Sequence, residues 1–263
     1  MQQTSALYRQ ILSSEDYYFE TRVVIGESGN LITEGGEQIL FGGTAIVVAR
    51  TSPESGFDEN IIFSVKTSLN MFENGPVIGT AVAGEIDLEI IQPSGDIGRM
   101  GVVIPYVRAV RIDGDTVLQS EWLQQGTFFI DTRESSHNDD GLNVLKLHGY
   151  DAMLKAEQDY ASTGLNWPAL DIDIVLEIAS VMGVSVDART WDVMTDGYYF
   201  PLPTSYTLRE MLGYIAGAYA GCFVMTERGQ LRLVSITELP PETRFLVDEY
   251  GYVITFGITR IKI

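Results

Sequence analysis

The hydrophobic period of this chain changes near Gly149, and that switch limits its architecture more than any other feature. Before it, apolar residues recur at every second position in short runs broken by glycine-rich turns. After it, they recur at the three-and-four spacing of helices. Such a chain is α+β and mainly β, with strands first and a mixed unit second. The cleanest run is Gly84–Ile91, where Glu85, Asp87 and Glu89 fall on one face and Ile86, Leu88 and Ile90 on the other. Further strands are predicted over 18–25, 38–50, 61–68, 103–112, 116–122, 126–132 and 143–148. Asp113-Gly114-Asp115 forms a hairpin turn between two of them. Many short antiparallel strands with glycine turns imply a sandwich or barrel over residues 1–148.

Residues 149–238 read as a separate small α+β domain. A helix is expected over 150–160. A second spans 171–182, capped by Asp171 and stopped by Gly183. A third opens at Thr207, where the hydroxyl and Glu210 satisfy the capping-box pattern, and ends at Gly221. A hairpin around Glu227-Arg228-Gly229 closes the unit. Residues 239–263 return to β character. Phe256-Gly257-Ile258-Thr259-Arg260-Ile261 echoes Phe41-Gly42-Gly43-Thr44-Ala45-Ile46 at four of six positions. This segment either starts a second copy of the first β domain or completes the first.

Charge narrows the partners. Against 36 acidic residues stand 17 basic ones, a formal net charge of -19. Such a surface repels nucleic-acid phosphates and anionic membranes. The lone cysteine, Cys222, lies in an apolar context and reads as a small core residue. The first twelve residues lack a basic stretch followed by an apolar run, so no secretory signal is expected. No apolar run approaches the ~18 residues of a membrane span. Synthesis and assembly in a cytoplasm are expected.

Chemistry-bearing patterns are few. The nucleophile elbow, phosphate loop, zinc spacing and dinucleotide fingerprint are missing from the sequence. Glu134, His137, Asp139 and Asp140 cluster in one segment, but their spacing fits no metal-ligand template, and a solvated loop is the better reading. His148 ends an apolar strand and reads as structural. The stripe Glu85, Asp87, Glu89, spaced roughly 7 Å apart along one strand face, is open to an acid-pair role but fits a solvated face better. Trp122, Phe128 and Phe129 read as core or interface residues. Tyr198, Tyr199 and Phe200 form an aromatic segment suited to stacking on a sugar or to packing. No catalytic, cofactor-binding or metal-ligating residue is assigned.

Several stretches, in order, resemble the hub proteins of phage and prophage tails: 78–86 (Ile-Gly-Thr-Ala-Val-Ala-Gly-Glu-Ile), 104–108 (Ile-Pro-Tyr-Val-Arg), 120–131 (Ser-Glu-Trp-Leu-Gln-Gln-Gly-Thr-Phe-Phe-Ile-Asp), 147–155 (Leu-His-Gly-Tyr-Asp-Ala-Met-Leu-Lys) and 206–212 (Tyr-Thr-Leu-Arg-Glu-Met-Leu). The resemblance covers residues 75–236. It implies a barrel-like tube domain followed by a small α+β domain, with 239–263 opening a second barrel, and a homotrimer whose paired barrels continue a hexameric tube. A complete hub of this kind would run on past Ile263. The implied partners are the tail tube and distal tail, tip, spike or fibre proteins. The implied place is the virion's tail tip, and DNA would pass through without specific binding. The family is structural, which implies no enzyme activity and no cofactor. In that setting Glu85, Asp87 and Glu89 are the candidate channel-facing stripe. Two alternatives stand beside it: a carbohydrate- or receptor-binding β module using Tyr198, Tyr199 and Phe200, and an acid-pair glycoside hydrolase.

Overall fold

The computed structural model describes residues 4–26, 53–70, 78–91, 101–137, 141–161, 164–202 and 205–235. It also describes three short strand pairs: Gly29–Asn30 with Val47–Val48, Leu40–Phe41 with Thr44–Ala45, and Thr255–Phe256 with Thr259–Arg260. The two echoed segments therefore share one local ladder, Phe41 opposite Thr44 and Phe256 opposite Thr259. The other strand positions expected over 38–50 and 239–263 lie outside the described residues.

A short helix α1 (Ala6–Leu12) precedes β1 (Tyr18–Gly26). Then follow β2 (Ile62–Leu69), β3 (Thr80–Ala81), β4 (Gly84–Ile91), β5 (Val102–Asp113), β6 (Thr116–Gln119), β7 (Leu123–Gln124), β8 (Phe128–His137) and β9 (Asn143–Asp151). All but β3 form one antiparallel eight-stranded sheet in the order β1-β5-β8-β9-β4-β2, with β6 and β7 also paired to β5. The fold is α+β and mainly β, as the period of the sequence predicts.

The sheet curls around its own core. Val23 of β1 packs in one cluster with Ile86, Leu88 and Ile90 of β4, Val103 of β5, Phe128 and Ile130 of β8, and Leu145 and Leu147 of β9. Val65 of β2 packs against the same cluster, so both outer strands of the sheet face one interior. Phe57 exchanges backbone hydrogen bonds with Val23 (3.0 and 2.8 Å) just before the chain enters β2. Among the described residues no ladder joins β1 to β2, so the barrel-like curl is not closed by their pairing. Ile86, Leu88 and Ile90 are each no more than 2% exposed, a burial that stabilises by roughly 2 kcal/mol per side chain.

The expected helix over 150–160 is not formed. β9 runs on to Asp151, with Tyr150 paired to Phe129 on one side and Glu85 on the other, and residues Ala152–Glu157 make a 3-10 turn. Gly149 is thus no break between elements. A Cβ there would run into the Phe129 carbonyl, so the glycine permits the close approach of β8 beside the irregular register at Ile130 and Thr132.

The second unit contains β10 (Ala169–Leu170), α2 (Asp171–Met182), α3 (Arg189–Val193), β11 (Tyr199–Phe200), α4 (Leu208–Ala218), β12 (Gly221–Met225) and β13 (Leu231–Ser235). Its three-stranded sheet has the order β13-β12-β3, with β3 parallel to β12. The lobe core gathers Ile174, Ile178 and Met182 of α2, Leu208, Leu212 and Ile215 of α4, and Phe223, Leu231 and Leu233 of the sheet. Gly183 ends α2 in the left-handed conformation, and Thr207 and Glu210 make the reciprocal capping box. Asp171 is not the cap of α2. That position is Leu170, and Asp171 sits inside the first turn, fully buried.

Candidate functional site

The acidic stripe lies where its alternation places it. Glu85, Asp87 and Glu89 project from the outer face of β4, opposite the buried Ile86, Leu88 and Ile90. Sheet order adds what alternation does not show, because β4 is an inner strand. On the β9 side, Glu89 pairs with Lys146 at 2.9 Å and Asp87 with His148 Nδ1 at 2.8 Å. On the β2 side, Lys66 stands in register with Asp87. Asp87 therefore stands between Lys66 and His148 across three strands and Glu89 beside Lys146, while Glu85 is in register with Ser68 and Tyr150. Lys146 has its ammonium held charged above the usual lysine range by the hydrogen bond and charge of Glu89. His148 meets the Tyr150 ring edge-on at 4.9 Å. The face is a charge ladder more than a wall of one sign.

The aromatic segment divides. Tyr199 is 71% exposed, Phe200 packs against the lobe core, and Tyr198 leans on Tyr219 with ring centroids 5.1 Å apart. Tyr199 offers the most open ring of the three, Tyr198 is exposed beside it, and Phe200 turns the other way along the strand. Asp171 holds the segment in place. Its carboxylate accepts from the backbone N–H of Ile172 (2.7 Å) and Tyr198 (3.0 Å) and from the Tyr219 hydroxyl (2.5 Å). Burial, and then this hydrogen bond, push the Tyr219 phenol well above the usual tyrosine range.

Of the loop weighed for metal binding, Glu134 and His137 are at the exposed end of β8, and Asp139 and Asp140 lie outside the described residues. Among the described residues no cluster of three His, Cys, Asp or Glu side chains could hold an ion. Trp122 covers a small second core formed by Val24, Val102, Ile104 and Tyr106. Two guanidiniums lie over its ring, Arg108 at 4.4 Å and Arg22 at 5.3 Å, and Arg108 is bonded to Glu20. Cys222 is buried, and burial raises its thiol pKa.

Sequence reading passed over Asp151. It is the one acid within the largely apolar stretch 147–154, which was the available signal. Only 5% exposed, it accepts from Gly84 N–H (2.6 Å) and Met153 N–H (2.9 Å). Burial pushes its carboxyl up to about 6, against the opposing pull of those two amides and of Arg209. It borders a pocket of about 260 Å³ where the large sheet meets the lobe, lined also by Thr67, Ser68, Gln125, Thr127 and Glu227.

No protein-family model matches the chain, and no curated protein matches it. Several solved structures show partial likeness. The 43 kDa tail protein of prophage MuSo2 from Shewanella oneidensis aligns with a TM-score of 0.48 at 12% identity, over 87% of this chain and 59% of that one. A tail protein from Neisseria meningitidis MC58 aligns with a TM-score of 0.46 at 12% identity, over 90% and 58%. A Francisella PdpA–VgrG complex aligns with a TM-score of 0.40 at 9% identity, over 89% and 35%. This chain spans less than two thirds of each. No helix among the described residues is long and apolar enough to cross a membrane.

Proposed function

We propose that this protein is a structural component of a phage tail or related injection machine, acting as a baseplate hub without catalytic turnover. The observation that carries the reading is the charge ladder on β4. A general acid or nucleophilic carboxylate must be free to meet a substrate atom, whereas Asp87 and Glu89 are engaged with His148 and Lys146 across the sheet. Opposite charges facing each other across a ladder favour that register over a slipped one, which suits a scaffold. The sequence resemblance over residues 75–236 points the same way. On this reading the chain assembles as a homotrimer at the tail tip, joins the tail tube to tip or fibre proteins, and turns the outer face of β4 toward a channel through which DNA passes unbound. Assembly would take place in the host cytoplasm.

Native mass spectrometry tests the trimer: a purified chain that is monomeric at every concentration removes the ring. A density map of the assembled tail tip tests the lumen, and Glu85, Asp87 and Glu89 on the outer wall or beneath a partner remove it. The functional variant should be the neutral triple E85Q/D87N/E89Q. Lysine at these positions would set like charges against Lys66 and Lys146 and confound assembly with repulsion. The neutral triple is expected to slow DNA ejection while tails still assemble, and unchanged ejection argues against the channel role.

A further inference from the structure

Singly exposed apolar residues are ordinary on a protein surface, but a contiguous group of them marks a place of contact. The large sheet carries such a group at one end. There β1 begins, β5 finishes, and β6 folds back on β5 through the turn Asp113-Gly114-Asp115. Pairing sets Tyr18 beside Val110 and Val117 beside Ile112. Residues opposite each other in an antiparallel ladder share a face, as do residues two apart on one strand. Tyr18, Ile112 and Val117 therefore lie together, and they are 44%, 58% and 53% exposed. On the opposite face Phe19 is also exposed, with Tyr17 edge-on to its ring at 5.5 Å.

The rim of this surface is acidic. Glu15 and Asp16 precede the strand that carries Tyr18, and Asp113 and Asp115 flank the turn beside Ile112 and Val117. All four acids are exposed. Within residues 15–19 and 110–119 the single base is Arg111, and its guanidinium is turned to Asp113 at 3.7 Å. On α1, which packs beside β5 and β6, Arg9 is directed back to the Ser5 carbonyl at 3.5 Å. The backbone beneath the patch is preset, because β5 is laddered to β1 on one side and to β6 on the other.

We propose that this end of the sheet is a docking surface for a different protein, one that presents an apolar cleft rimmed by lysine or arginine. Charge selects the occupant. A second copy of this chain would bring four carboxylates against four, on molecules that each carry a formal net charge of -19, and like charges facing each other suppress association. A bilayer would have to take in Asp113 and Asp115 first, since they stand at the tip of the hairpin beyond Ile112 and Val117. Carboxylates are strongly disfavoured in hydrocarbon. A basic rim around an apolar centre answers both features at once, which is the common anatomy of a protein interface. The preset backbone keeps the ordering cost of docking small. The proposal does not rest on the tail reading, because it needs only the partner's surface chemistry.

Amide NMR on the full chain tests the surface with two synthetic amphipathic helices of equal length, one of leucine and lysine, one of leucine and glutamate. The leucine–lysine helix should shift the amides of Tyr18, Ile112 and Val117, and the leucine–glutamate helix should shift none of them. Ile112→Ser with Val117→Ser should weaken binding roughly tenfold or more by removing the apolar centre. Asp113→Asn with Asp115→Asn should weaken it several-fold, on the order of what salt screening does to the unaltered chain. All four side chains are exposed, so the urea midpoint of either variant should match that of the unaltered chain. Shifts that fall elsewhere on the protein, or affinity unchanged by the two serines, overturn the proposal. Self-association in sedimentation equilibrium that the two serines abolish makes the occupant a second copy instead. Flotation with phosphatidylcholine vesicles that the two serines abolish makes it a bilayer, and either result overturns the assignment to a basic-rimmed protein.

Discussion

Removing the Asp171 carboxylate should cost far more than removing any one of its partners. In the lobe, that carboxylate takes hydrogen bonds from Ile172 N–H, Tyr198 N–H and the Tyr219 hydroxyl, and the residue is completely buried. Tyr219→Phe deletes one donor and leaves the carboxylate its two backbone amides. Loss of one hydrogen bond to a charged group costs about 1.5–3 kcal/mol. Asp171→Ala instead strands the donors that faced it, at roughly 1–3 kcal/mol for each that finds no water, and leaves a small void. The expected total is about 3–5 kcal/mol. The double variant should cost little more than Asp171→Ala alone, because the Tyr219 hydroxyl has then already lost its acceptor. Urea unfolding followed by circular dichroism at 222 nm measures all three. If Asp171→Ala costs under 1 kcal/mol, or the double variant equals the sum of the singles, the carboxylate is not the hub of this network.

Further outcomes follow from the same geometry. Leu88→Ala, at a site 1% exposed in the sheet core, should destabilise by about 2–5 kcal/mol in the same assay. Glu89→Gln should change stability by less than about 1 kcal/mol, because both members of its pair with Lys146 are well exposed; a larger loss would show that the charge ladder holds the sheet together. Asp187 is held down at about 2, chiefly by its hydrogen bonds from Arg189. Its contribution to stability is therefore present above about pH 4 and lost as pH falls through 2, so the stability gap between the wild type and Arg189→Ala should narrow between pH 7 and pH 2.5. Tyr199→Ala should leave the urea midpoint unchanged, and unaltered retention on immobilised oligosaccharides would remove the sugar-binding alternative.

Local signals in the sequence were faithful where the physics is local. Alternation over Gly84–Ile91 placed every side chain of β4 on the correct face. Gly183 and the Thr207–Glu210 pair marked helix ends because caps are decided within a few residues. The failures came where a distant partner decides. Residues 150–157 carry small and apolar side chains that suit a helix, yet ladder bonds to Phe129 and Glu85 hold Tyr150 in a strand. Asp171 looked like a cap because acids favour that place, but donors from two distant segments, Tyr198 N–H and the Tyr219 hydroxyl, pull it inward. The stripe on β4 read as bare negative charge because its partners, Lys146 and His148, are assigned to it only by strand order. Asp151 fell inside the stretch 147–155 without a role of its own, since its meaning depends on which backbone amides converge on it.

The parallel pairing of β3 with β12 makes the lobe unsuitable as a transferable cassette. Its third strand, Thr80–Ala81, is encoded ahead of most of the large sheet, and its other two strands are encoded after all of it. During synthesis β12 has no neighbour on that side until β3 is carried back to it, a contact of long sequence separation that forms slowly. A fragment cut at residue 149 would leave the edge of Gly221–Met225, buried along its whole length in the intact chain, facing solvent. Such an edge recruits other chains. Engineering that exchanges the lobe between proteins must therefore carry residues 78–83 along with it or supply a substitute strand.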